Sequence, residues 1–144
     1  MIIVSDPDRW IAEHHPQRLA IADGAACRTV AAMMEHLQTI LKFPGYFGHN
    51  WSALEDCLVD YLWGDGVPDK VLVIRRAALF LGDEPEETVD LFLQVVHRAG
   101  QSTGPGGRRS GFRVLVEEPS GRIGRRAAEL GVPARLDRAD SEAR

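Results

Sequence analysis

The chain has 144 residues, 44% of them hydrophobic and 26% charged, the composition of an ordinary soluble protein long enough to bury a core without staples. Its formal net charge of -4 is unevenly spread: residues 1–99 hold 8 basic and 15 acidic residues, whereas residues 100–144 hold 9 basic and 6 acidic. The acidic body argues against direct nucleic-acid binding, which needs clustered cations for phosphate, and fits a cationic partner better.

"MIIVSDPDRW" has no basic n-region and no apolar run approaches the roughly 20 residues of a membrane span, so neither a signal peptide nor membrane contact is expected and a cytoplasmic location follows. Pro7 and Pro16 break up residues 1–16, which read as an irregular lead-in. "RLAIADG" predicts a strand of about four residues closed by an Asp23-Gly24 turn. Thr29 is placed to cap a helix to about Leu41, whose apolar positions Val30, Met33, Met34, Leu37 and Leu41 recur at helical spacing. Pro44 and Gly45 stop that helix, and Asn50 can cap a second from Trp51 to Trp63, ended by Gly64 and Gly66.

"KVLVIR" is a continuous apolar run, as expected of a strand buried on both faces. "DEPEETVDLFLQVVHRA" opens with acids and Pro85 and then carries a broad apolar set, predicting a third, largely buried helix. "GQSTGPGGRRSG" reads as a flexible connection and "FRVLVEE" as a third strand. "GRRAAELG" predicts a short helix, followed by a polar tail read as disordered. Cys27 and Cys57 have neither metal nor disulfide spacing and read as small core residues. The order of elements is α/β, with a small three-stranded parallel sheet packed with helices, in a single domain with a C-terminal extension.

The second helix has more than a core stripe. At about 100° per residue, Leu54, Cys57, Leu58, Tyr61 and Leu62 fall on one side. Ser52, Glu55, Asp56, Val59, Asp60 and Trp63 fall on the other, leaving Val59 and Trp63 as apolar groups among carboxylates. A merely solvated face is one explanation. The other is an interface where acids meet a partner's cations and apolar groups supply desolvated contact. The preceding loop, with Tyr46, Phe47, Gly48, His49 and Asn50 beside that face, favours the interface.

"YFGHNWSALEDCL" resembles the hallmark segment of the barstar family of intracellular ribonuclease inhibitors, and the surrounding order of strands and helices resembles it from about residue 18 to 118. The resemblance implies a barstar-like domain over residues 17–118, between the lead-in of residues 1–16 and an extension of residues 119–144. It also implies a mechanism: the helix and its preceding loop enter a ribonuclease cleft, where an aspartate takes the place of a substrate phosphate. A cleft built to hold phosphate is cationic, and complementary charge speeds encounter and excludes wrong partners, physics of which the barnase–barstar pair is itself a familiar example.

By that resemblance Tyr46, Gly48 and Asn50 match loop positions, Asp56 the phosphate-mimicking aspartate and Cys57 the cysteine after it; Val59 and Asp60 fall on further contact positions. The chain departs from the best-known inhibitor at Ser52 (an acid there), Glu55 (a tryptophan) and Arg98 (a glutamate). These departures point to a differently arranged cationic pocket in the partner.

The partner expected is therefore a cationic ribonuclease or related toxin, bound by a chain that is monomeric when free and needs no cofactor. An immunity or regulatory protein with a non-ribonuclease target on the same scaffold is the alternative. A metal-dependent hydrolase built on His49, Glu55 and Asp56 is a weaker rival, because no second ligand cluster lies nearby. "GPGGRRSG" lacks a phosphate-loop ending and precedes a strand, but its two arginines are free to meet an acidic patch on a partner.

Overall fold

The computed structural model describes residues 1–118 and 120–137. Its elements run β1 (Ile2–Val4), α1 (Pro7–His14), β2 (Arg18–Asp23), α2 (Val30–Ile40), α3 (Trp51–Trp63), β3 (Lys70–Arg75), α4 (Glu86–Gln101), β4 (Arg113–Glu117), α5 (Arg122–Leu130) and β5 (Arg135–Leu136). All strand pairings are parallel, in the order β2-β3-β4-β1-β5. The α/β class expected from the sequence holds, but among the described residues the sheet has five strands where three were expected.

The two additional strands come from the ends. Three apolar residues are too short a run to signal a strand alone; β1 exists because β4 pairs with one of its edges and β5 with the other. The lead-in is therefore ordered. Pro7 does not break it but opens α1, where its missing N–H costs nothing, and Asp6 caps that helix by accepting from the Arg9 amide at 3.1 Å. At the other end α5 begins at Arg122, two residues before "GRRAAELG". Gly121 offers no capping side chain, so the buried Glu118 accepts from the amides of Ile123 at 2.6 Å and Gly124 at 3.2 Å. The tail read as disordered is structured as far as it is described: Val132 is buried and β5 follows, while residues 138–144 lie outside the described residues.

Alternation along the strands divides the core in two. Ala20, Ala22, Leu72, Ile74, Val114 and Val116 belong to the larger cluster, with Met33, Leu37, Leu54, Leu58, Phe92 and Val96 from α2, α3 and α4. Val71, Val73 and Leu115 belong to the smaller one, which Trp10 of α1 completes. Trp10 is 2% exposed, so Trp10→Ala costs about 3–5 kcal/mol. Cys27 and Cys57 are free and buried, and burial pushes the Cys27 thiol up to about 12. With the sheet fixed behind them, α3 and α4 pack side by side.

Candidate partner-binding face

The loop before α3 is held from α2. Gln38 donates from Nε2 to the Pro44 carbonyl at 3.1 Å, and its Oε1 lies 2.7 Å from His49 Nε2. Phe43 and Phe47 are buried edge to face, with ring centroids 5.2 Å apart. Phe47, expected among the contact residues, is thus turned inward at 6% exposure and serves as the loop's anchor. Anchoring one aromatic releases its neighbour: Tyr46 is 80% exposed. His49 adopts a left-handed backbone (φ 50°), which its contacts to Gln38 and the Phe47 ring hold in place.

Asn50 joins loop to helix. Its Oδ1 accepts from the Ala53 amide at 2.8 Å and its Nδ2 donates to the Gly48 carbonyl at 3.2 Å. The residue therefore caps α3 as expected, and both ends of its amide are used within the chain.

The inner stripe of α3 is Leu54, Cys57, Leu58 and Leu62, all buried; Tyr61, read with them, is half-buried at its edge. The outer face differs from the sequence reading in its apolar groups. Val59 and Trp63 are half-buried and pack against the core instead of standing among the carboxylates. Trp63 Nε1 donates to Ser102 Oγ at 2.9 Å, so the loop after α4 already occupies it.

The acids divide as well. Arg98 of α4 donates to Glu55 at 2.5 Å, tying that carboxylate to the neighbouring helix. Ser52, Asp56 and Asp60 are exposed, and neither aspartate has a hydrogen-bond or ion-pair partner among the described residues. The unpaired negative charge of this face thus narrows from three acids to two, one helical turn apart.

Cys57 lies beneath them. Burial, and then the Asp60 and Asp56 carboxylates, raise its thiol above the ordinary value, the direction that disfavours the thiolate. His49 and Glu55 are engaged with Gln38 and Arg98, and no group of three His, Cys, Asp or Glu among the described residues is placed to hold a metal ion.

Lys70, at the start of β3, escaped the sequence reading because it looks like an ordinary strand end. Its ammonium is buried and donates to the carbonyls of Leu62 at 3.0 Å and Val67 at 2.7 Å and to Asp65 at 2.7 Å, 5.4 Å from the Tyr61 ring centroid. It thereby fixes the C-terminal end of α3 against the sheet. Gln38 was missed for the same reason, since one polar residue on an amphipathic helix carries no local signal. The pair Glu55 and Arg98 did leave one: two departures of opposite charge from a single family pattern.

An acidic, partly unpaired helix face beside an exposed aromatic loop, on a rigid parallel α/β scaffold, defines a protein-binding module. The family model described as barstar, the barnase inhibitor, matches residues 17–117, and the chain belongs to the barstar family. No curated protein matches the chain in sequence comparison. The family's named activity is inhibition of a ribonuclease by binding it, and no helix among the described residues is long and apolar enough to cross a membrane.

Proposed function

We propose that this chain inhibits a cognate ribonuclease by inserting α3 and the Tyr46–Asn50 loop into its catalytic cleft, with Asp56 standing where a substrate phosphate binds and Asp60 beside it. The observation that carries the reading is the state of the two aspartates. Both are exposed on a helix fixed at each end, by the Asn50 cap and by Lys70, and neither is used internally among the described residues. A carboxylate carried on a helix already fixed before binding needs no backbone ordering on binding, and its hydration is exchanged for the cleft's cations. Tyr46 adds an aromatic contact beside that charge, the residue type that dominates interface energetics.

The test is inhibition of a panel of purified barnase-type secreted ribonucleases in an RNA-cleavage assay. At least one is expected to be inhibited stoichiometrically, and Asp56→Ala weakens that inhibition. A second reading, a non-ribonuclease target on the same scaffold, is favoured by the Glu55–Arg98 pair, which puts a guanidinium beside the acidic face. It would replace the first if the chain binds a toxin without nuclease activity and inhibits none of the panel.

A further inference from the structure

The Gly-rich connection between α4 and β4 is a feature that the proposed function leaves unused. It is locked at both ends. A Cβ on Gly104 would lie 2.3 Å from the Trp63 ring, so only glycine lets the backbone rest on that indole, and Ser102 takes the indole N–H. A Cβ on Gly111 would lie 2.5 Å from the Pro68 carbonyl oxygen, so the return of the loop is seated just as closely against the α3–β3 connection. Between these points the chain makes a tight tip, in which Gly104 donates to the Arg108 carbonyl at 2.9 Å, Gly107 donates to the Gly104 carbonyl at 3.1 Å, and Thr103 pairs with Arg109 in an antiparallel bridge.

The tip presents Arg108 and Arg109, both exposed and with side chains lacking a hydrogen-bond or ion-pair partner among the described residues. Among the described residues nine other arginines are closed into ion pairs with carboxylates, while Arg135 in β5 is likewise exposed without a side-chain partner. Trp63 stands two turns on from Asp56 along α3, half-buried against the core, and it carries the loop. The loop with the two unpaired arginines is therefore tied through Trp63 to the helix that carries the two unpaired aspartates.

We propose that the loop of residues 103–110 is a second half of the docking surface, with Arg108 and Arg109 meeting an acidic patch on the rim of the partner's cationic cleft. The inference rests on the reading of α3 as the cleft-binding element. It assigns the partner a dipolar surface, positive within the cleft and negative on the side facing the C-terminal end of α3. The rigidity of the tip matters, since two arginines on a preformed turn lose less freedom on docking than two on a mobile linker.

The probe is the panel ribonuclease that the wild-type chain inhibits most tightly, and the readout is its association rate constant at low and at high ionic strength. The double variant R108E/R109E is expected to associate about tenfold more slowly at low salt, with the difference fading as salt screens it, while R108K/R109K keeps the wild-type rate. Both variants are checked for unchanged thermal unfolding. An R108E/R109E rate equal to wild type, or faster as added negative charge facing a cation requires, overturns the inference; if Asp56→Ala still weakens binding in that case, the reading of α3 stands. Inhibition of no panel member, or full inhibition by Asp56→Ala, overturns the reading of α3 and the inference with it.

Discussion

Arg98 of α4 and Glu55 of α3 close an ion pair at 2.5 Å across two helices. The pair removes one acid from the face and sets a cation beside the remaining two. Its side chains are 57% and 31% exposed, so its contribution to stability is small, about 1 kcal/mol at most. Its consequence lies in recognition. Arg98→Ala is expected to change urea-unfolding stability by less than about 1 kcal/mol while raising the low-salt association rate with an inhibited ribonuclease several-fold, because Glu55 is freed and a repelling cation is gone. Stopped-flow rates across a salt series check this.

Gly48→Trp separates docking from folding. Gly48 is exposed with an ordinary backbone, and an added Cβ would meet only the Asn50 Nδ2 atom at 3.1 Å and the Ala53 Cβ at 3.6 Å. A small adjustment accommodates it, so the unfolding midpoint falls by no more than about 1 kcal/mol equivalent. The indole then stands between Tyr46 and α3, and inhibition of the ribonuclease is expected to be lost. Loss of inhibition together with loss of the folded state would instead mark Gly48 as structural.

Lys70→Met tests how the far end of α3 is fixed. Methionine matches the aliphatic stem but leaves the carbonyls of Leu62 and Val67 without their donor and Asp65 without its cation. The expected cost is about 2–4 kcal/mol in urea unfolding. Amide exchange should quicken in the last turn of α3 more than in its first, where the Asn50 cap is untouched.

Acid should unfold the protein through its paired carboxylates. Hydrogen bonds from Lys70 to Asp65, from Arg76 to Asp23 and from Arg28 to Asp83 hold these three acids below the ordinary carboxylate range. A folded-state pKa below the unfolded one means stabilisation that is complete above about pH 4 and is lost as pH falls through the folded values. Urea midpoints are therefore expected to be flat above about pH 5 and to drop below pH 4. Asp65→Asn lowers the plateau and makes the drop shallower. A fall beginning near neutral pH would require a different titrating group.

How much of this was legible in the sequence depended on whether the signal was local. Thr29 and Asn50 announced their helices because a capping residue followed by apolar spacing is a local code, and both caps are made. The run Lys70–Arg75 announced a strand buried on both faces for the same reason. β1 and β5 were silent: three residues and two residues form strands only because distant partners supply the ladder. Helical geometry placed Asp56 and Asp60 outside correctly. It failed for Trp63, whose environment is made by a loop about forty residues later. Phe47, in the loop before α3, had no local signal for its inward turn, because its place depends on Phe43 turning in beside it.

The central claim is that Asp56 does its work outside this chain. The direct measurement is the dissociation constant of Asp56→Ala for the ribonuclease the wild-type chain inhibits, taken beside the urea-unfolding stability of the same variant. The expected result is a loss of about 2 kcal/mol or more in binding, roughly thirtyfold in affinity, with stability within about 0.5 kcal/mol of wild type. Unchanged affinity, or a loss of stability as large as the loss of binding, would contradict the claim.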